Sequence, residues 1–353
     1  MSFGRKAAIW LASSFLTLAL FSLAIDTGFV RIAGQPNTIK GVLDKSGLYN
    51  SVVPGLLDEA KTISNPNGDI PLNDSVVRSA ATSTLTPQYL QTNVNQALDS
   101  IYQWLDGKTS QPSFSFNLTD IKNTFADKVA AGARQKAASL PACTAPPTGA
   151  AFDVFGATCL PPGITPDQVA AQVRSSIVGG QGFLDNANVS ANDLKASGSS
   201  QPVFKDQLKN LPKGFREFKR SPVILVLISI LFGVLLVFIY PSKLGAAKHI
   251  GFIFGGVGIF VILIALGLNE AVSNKFISHI NLNNAVLEVS LRRVIHDTVH
   301  NLSGTYMLIG VIYILLGALG IGTHYFFNKN RPADAAMTKK PAAAKPAKKV
   351  KVS

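Results

Sequence analysis

The chain has 353 residues, 47% of them hydrophobic, and its 33 Lys and Arg against 20 Asp and Glu give a formal net charge of +13. Such basicity invites a nucleic-acid partner. The distribution argues against one: the excess flanks four long apolar segments and fills a tail, while the one large polar region is almost neutral.

The four segments are Ala7–Ile25, Pro222–Tyr240, Ile250–Leu268 and Tyr306–Phe327. Each approaches the ~20 residues that cross a hydrocarbon core as a helix. Arg5 and Lys6 precede the first, Lys243 and Lys248 lie between the second and third, and eight cations against Asp334 follow the fourth. If the spans alternate, eleven of the thirteen net charges fall on one side, which the positive-inside rule makes cytoplasmic. The sequence therefore predicts a mainly α plasma-membrane protein: a four-helix transmembrane bundle with an α-rich extracytoplasmic domain between spans 1 and 2. Its parts are a cytoplasmic N-terminus (1–6), span 1 (7–25), the domain (26–221), span 2 (222–240), a cytoplasmic basic turn (241–249) and span 3 (250–268). An extracytoplasmic loop (269–303), span 4 (306–327) and a disordered basic cytoplasmic tail (328–353) complete it. Arg5-Lys6, the apolar run and Ser22-Leu23-Ala24 also fit a cleavable signal peptide, but the run is long for one and contains Trp10 and Phe15.

Within 26–221, eighteen Lys and Arg face sixteen Asp and Glu. Helices are expected at Thr38–Lys45, at Leu48–Lys61 with a break at Pro54, and at Asn73–Ser83. Thr86-Pro87 then offers an N-cap and a first-turn proline, and Gly107 a stop. Between them Leu90, Val94, Ala97, Leu98, Ile101, Tyr102, Trp104 and Leu105 share one helical arc, a packing face opposite Gln88, Thr92, Asn95, Gln96, Asp99 and Gln103. Ser113–Leu118 alternates as a short strand with no identifiable partner. Helices follow at Thr119–Ser139 and Thr165–Val178, and Gly179–Gln201 has the composition of a flexible loop. Cys143 and Cys159 share this domain, and a disulfide between them suits an oxidising exterior. Two free thiols or a metal pair are the alternatives, the latter weakened by the lack of a nearby His or third Cys.

Lys213, Arg216, Lys219 and Arg220 abut span 2 on the outer side, as a cluster for anionic lipid or envelope polymer or as an interfacial collar. Lys339, Lys340, Lys348, Lys349 and Lys351 stud the tail, where a Lys/Ala/Pro run cannot bury a core and anionic lipid attracts it. The tail superficially resembles a bipartite nuclear-import signal, which four spans make implausible.

The segment Leu85–Lys108, with the following Phe114–Ile121 stretch and the earlier Lys45-Ser-Gly-Leu-Tyr49, resembles a pattern in uncharacterised bacterial multi-pass membrane proteins with one large extracytoplasmic domain. The resemblance covers about a quarter of the chain. It implies the same arrangement in the membrane and no activity.

For chemistry, the sharpest constellation is His296-Asp-Thr-Val-His300, two histidines one helical turn apart as in zinc proteases. Asp297 replaces the usual glutamate and is expected to pair with Arg293, while Arg292 and Arg293 disfavour a divalent cation; beyond distant His279 or Glu288 no third ligand offers itself. On a wheel Leu287, Leu291, Val294, Ile295, Val299 and Leu302 form the opposite face. Asn283–Leu302 is thus expected to be an amphipathic helix lying on the membrane surface or under the outer domain, without metal or cofactor.

The spans contain no Asp, Glu, Lys or Arg, unlike a transport path, and Ser13, Ser14, Thr17, Ser22 and Ser229 are expected to bond to their own helix carbonyls. Gly251, Gly255, Gly256, Gly258, Gly310, Gly317 and Gly320 permit close helix approach, within the bundle or in a homo-oligomer. All five histidines lie at or after His249, so a His-dependent nucleophile confined to 26–221 is ruled out. No Walker or Rossmann glycine pattern occurs. The resulting expectation is a non-enzymatic binding or scaffold protein whose partners are membrane lipids and an outer protein or envelope component. A sensor subunit working through the tail, or an envelope hydrolase using carboxylates or His296 and His300, are the alternatives.

Overall fold

The computed structural model describes residues 3–62, 71–144, 152–179, 188–195, 200–272 and 284–329. The chain is mainly helical, and four helices are long and apolar enough to cross a membrane: α1 (Phe3–Ala33), α8 (Leu211–Ile239), α9 (Lys243–Ala271) and α10 (Ala285–Lys329). Large apolar side chains stay exposed along them, Phe238 at 81% and Trp10 at 69%, as expected of a surface solvated by lipid rather than water.

Cross-helix bonds give the directions. Arg5 Nε donates to the Ile239 carbonyl at 2.5 Å, and Phe15 stacks on Phe232 at 5.2 Å, so α1 and α8 are antiparallel. Ser13 Oγ meets His249 Nε2 at 2.8 Å and Tyr313 Oη donates to the Leu20 carbonyl at 3.2 Å. Ser13 thus reaches across to another helix, whereas Ser14, Thr17 and Ser229 do bond to their own helices. The starts of α1 and α9 therefore lie beside the ends of α8 and α10.

The tightest contact is between α9 and α10. Gly251 faces Gly317, Gly258 faces Gly310, and Ser303 Oγ donates to the Ala265 carbonyl at 2.8 Å. The pairs recur every seven residues on both helices, so one small-residue seam runs the length of the contact. A Cβ at Gly251 would stand 2.7 Å from the Gly317 carbonyl oxygen, and one at Gly258 2.7 Å from that of Gly310. Small residues let the backbones meet where lipid supplies no hydrophobic drive between helices.

Helices start earlier and end later than hydropathy suggests. Span 2 is part of α8, which begins eleven residues before Pro222. Proline removes the N–H that would serve the Phe218 carbonyl, and Ser221 Oγ donates to that carbonyl at 2.7 Å instead, so the helix continues. The expected amphipathic helix, described from Ala285, is likewise not separate from span 4. It is the first part of α10, 45 residues and roughly 68 Å long. No proline interrupts the run, and Gly304, the glycine nearest the expected boundary, costs only about 1 kcal/mol.

Between α1 and α8, helices α2 (Pro36–Lys45), α3 (Leu48–Thr62), α4 (Ser75–Thr84), α5 (Pro87–Leu105), α6 (Leu118–Ser139) and α7 (Pro166–Gly179) form the second unit. Thr86 caps α5 as expected, its Oγ1 accepting from Tyr89 N, and Gly107 at φ +75° follows the helix end. The expected break at Pro54 does not occur: α3 runs through it, and Val53 and Leu57 join a core with Val77, Phe125, Val129 and Ile177. Burial on both sides of the proline outweighs its lost hydrogen bond.

Part of the expected loop 179–201 is instead a strand. β2 (Asn188–Ser190) pairs antiparallel with β1 (Ser115–Asn117), Phe116 opposite Val189. Three polar-flanked residues carry too little alternation to announce a strand, and only the presence of β1 gives them one. Cys143 and Cys159 are joined, their Cα atoms 5.0 Å apart, beside the bond from Cys143 N to the Leu160 carbonyl. The crosslink holds the segment carrying buried Val154 against the α6–α7 pair.

Candidate functional site

Two polar concavities stand out, one at the junction of the two units and one on α5. The first is a groove of about 750 Å3 between the end of α1, α2 and α10. Gly34 and Pro36 turn the chain sharply from α1 into α2, and Thr38 Oγ1 donates back to the Arg31 carbonyl at 3.2 Å. Arg31, Lys45, Asp297 and His300 therefore reach one cavity from three helices, with Asn37 and Asn301 at its sides and Ile32 and Leu308 among its apolar residues. Arg31 and Lys45 form no ion pair among the described residues.

His296 and His300 do stand on adjacent turns, their rings parallel and 6.2 Å apart between centres. Asp297 lies 3.5 Å from His296 Nδ1 and does not pair with Arg293 as expected. Arg293 instead points towards the α2–α3 turn at Gly47, and Arg292 pairs with Glu288 at 2.6 Å. Among the described residues no group of three His, Cys, Asp or Glu could hold a metal; His279 lies outside them.

The second concavity, about 500 Å3, follows the polar arc of α5: Thr92, Asn95, Gln96, Asp99 and Gln103, with Ser113 opposite. Asp99 is held by Lys40 at 2.5 Å, and Ser100 Oγ accepts from Ser113 N at 2.5 Å. Asn95 Oδ1 is buried there without a hydrogen-bond partner. The opposite arc packs as expected at its C-terminal end: Trp104 is 3% exposed and meets Phe204 edge-on. Tyr102 donates from Oη to the Ala33 carbonyl at 2.8 Å; burial first, then Asp106, pushes its phenol above the usual 10.0.

The cluster Lys213, Arg216, Lys219 and Arg220 sits on the first turns of α8, and its members differ. Lys219 binds Asp106 at 2.7 Å, and Arg216 lies against Gly107, so both are engaged by the end of α5. Lys213 and Arg220 are exposed. The tail lysines Lys339, Lys340, Lys348, Lys349 and Lys351 lie outside the described residues.

The sequence drew attention to His300 through its spacing from His296. Arg31, Lys45 and Asn301 gave no such signal, because only the α1–α2 turn brings them to α10. No family model, curated protein or solved structure matches this chain.

Proposed function

We propose that this chain is a membrane-anchored binding or scaffold protein, with residues 26–221 outside a plasma membrane and both termini in the cytoplasm. The observation that carries the reading is the unbroken α10. A hydrocarbon core needs ~20 residues, and the helix has 45. Its surplus runs into the helical unit, where Ser51 bonds Ser290 at 2.5 Å and Asn284 Nδ2 donates to the Gly55 carbonyl at 2.6 Å. A flexible tether needs no such strut; holding a binding domain at a set height and angle does. The cleft on α5, lined mostly by amides and hydroxyls around the paired Asp99, supports a binding face, since such donors and acceptors suit a protein or glycan surface. The orientation rests on charge: Arg5, Lys6, Lys243 and Lys248 gather at the end away from the helical unit.

Crosslinking in intact cells from cysteines introduced at Gln96 and Gln103, followed by identification of the captured molecules, tests the function. A reproducible protein or envelope partner is expected. Capture of cleaved polymer fragments alone would replace scaffold with hydrolase. Impermeant labelling at introduced Gln201→Cys but not Ala343→Cys is expected; the reverse overturns the orientation. The continuous α10 also favours a second reading, a sensor whose tail partner responds to movement of that helix. A partner bound to residues 328–353 only when the outer domain is occupied would favour it.

A further inference from the structure

We propose that the groove between α1, α2 and α10 binds the phosphate of an anionic glycerophospholipid headgroup. Depth is the first argument. From Arg5 to Arg31 the helix rises ~39 Å, while the bilayer measures ~30 Å across its hydrocarbon and ~40–45 Å with headgroups. With Arg5 at one interface, Arg31 stands in the headgroup layer of the other. Tyr306, whose hydroxyl lies 3.4 Å from the Ile25 carbonyl, marks the edge of the apolar layer just below.

Chemistry is the second argument. Arg31, Lys45 and His300 come from three different helices to one cavity, and neither Arg31 nor Lys45 is neutralised by an ion pair among the described residues. Guanidinium and ammonium donors are the usual recognition groups for phosphate oxygens. Asp297 lies at the same cavity and leaves a net positive site, with Asn37 and Asn301 able to take glycerol or headgroup hydroxyls. Shape is the third. The groove's volume of about 750 Å3 is in the range of small-molecule sites. At Gly304 an added Cβ would meet nothing within 4 Å, so the wall is open there. Ile32 and Leu308 give the acyl-chain side of a lipid an apolar surface. A free phosphate would use the cations but not that surface.

The inference rests on membrane embedding and not on the scaffold reading, so the two fail separately. The test uses the full chain purified in detergent, with bound lipid counted by native mass spectrometry after addition of phosphatidylglycerol, phosphatidylcholine or inorganic phosphate. Wild type should retain phosphatidylglycerol about tenfold better than phosphatidylcholine, and millimolar phosphate should not displace it. Arg31→Ala with Lys45→Ala should weaken retention about tenfold or more. Lys108→Ala with Lys209→Ala, which removes equal charge elsewhere, should not. Gly304→Leu fills the groove without changing charge and in a helix-favouring direction, so it decides the matter if the double variant fails to fold. Equal retention of both lipids, displacement by phosphate, or full retention in Gly304→Leu each overturns the proposal.

Discussion

The two halves of α10 meet opposite kinds of neighbour. From Ser303 to Gly320 it is pressed against α9 by glycines, backbone on backbone, in a seam with no room for a methyl group. From Ala285 to Asn301 it is only half covered, and the most buried side chains here are small and polar: Asn284, which caps it, at 7% and Ser290 at 4%, while Val289 is 47% exposed. In lipid, association must come from close packing, because apolar side chains gain nothing by leaving an apolar solvent. The half-covered part is tied instead by a few satisfied polar contacts, such as Asn284 to Gly55 and Ser290 to Ser51. One continuous helix thus has a closely packed half and a half-covered one.

The largest expected effect comes from breaking the seam. Gly258→Leu drives a side chain into the Gly310 carbonyl, which cannot move without separating the helices, and should cost about 3 kcal/mol or more. Gly256→Leu, with nothing within 4 Å, should be nearly neutral. Thermal unfolding of both in detergent checks this, and equal melting would mean the seam does not hold the bundle.

Removing the Cys143–Cys159 crosslink should destabilise the α6–α7 end by roughly 3 kcal/mol, the loop-closure value for about 15 residues. The bundle should melt unchanged. Peptide mapping without reductant should recover the linked pair, and freely alkylated thiols in fresh membranes would contradict it.

Asn284→Ala tests the strut. Its Oδ1 accepts from Val286 N and Leu287 N while its Nδ2 binds Gly55, so the change removes a helix cap and the tie to α3. The expected cost is about 1–2 kcal/mol. Amide exchange should quicken over residues 286–290 and stay slow beyond Ser303; acceleration along the whole helix would erase the distinction between its halves.

The smallest effect is alkaline. Tyr102 has its phenol raised above 10.0 in the folded chain, so its contribution is complete below pH 10 and is lost as pH rises through the folded value. Ionisation removes the proton donated to Ala33, so the α1–α5 contact should loosen only above pH 10. Tyr102→Phe should abolish that step in a spectrophotometric titration, and its persistence would assign it to another group.

Much of this architecture was legible because its signals are local. Apolar runs of span length, the Thr86-Pro87 start of α5, the Gly107 stop and the shared location of the two cysteines each act through neighbours in the chain or through solvent. Composition and spacing therefore determined the four membrane-length helices and most helices of the second unit, and they favoured a disulfide between Cys143 and Cys159 that the structure then shows formed. What the tertiary structure alone decided depends on residues far apart in sequence. Gly251 and Gly258 are ordinary span glycines until Gly317 and Gly310 face them, and Asn188–Ser190 is a loop until Ser115–Asn117 lies alongside. The passage of α10 through the expected boundary near Ser303 was hidden because hydropathy changes there and helix hydrogen bonding does not. Arg31 and Lys45 share a cavity with His300 only because the chain reverses at Gly34 and lays α2 against α10, an event of packing that no local pattern records.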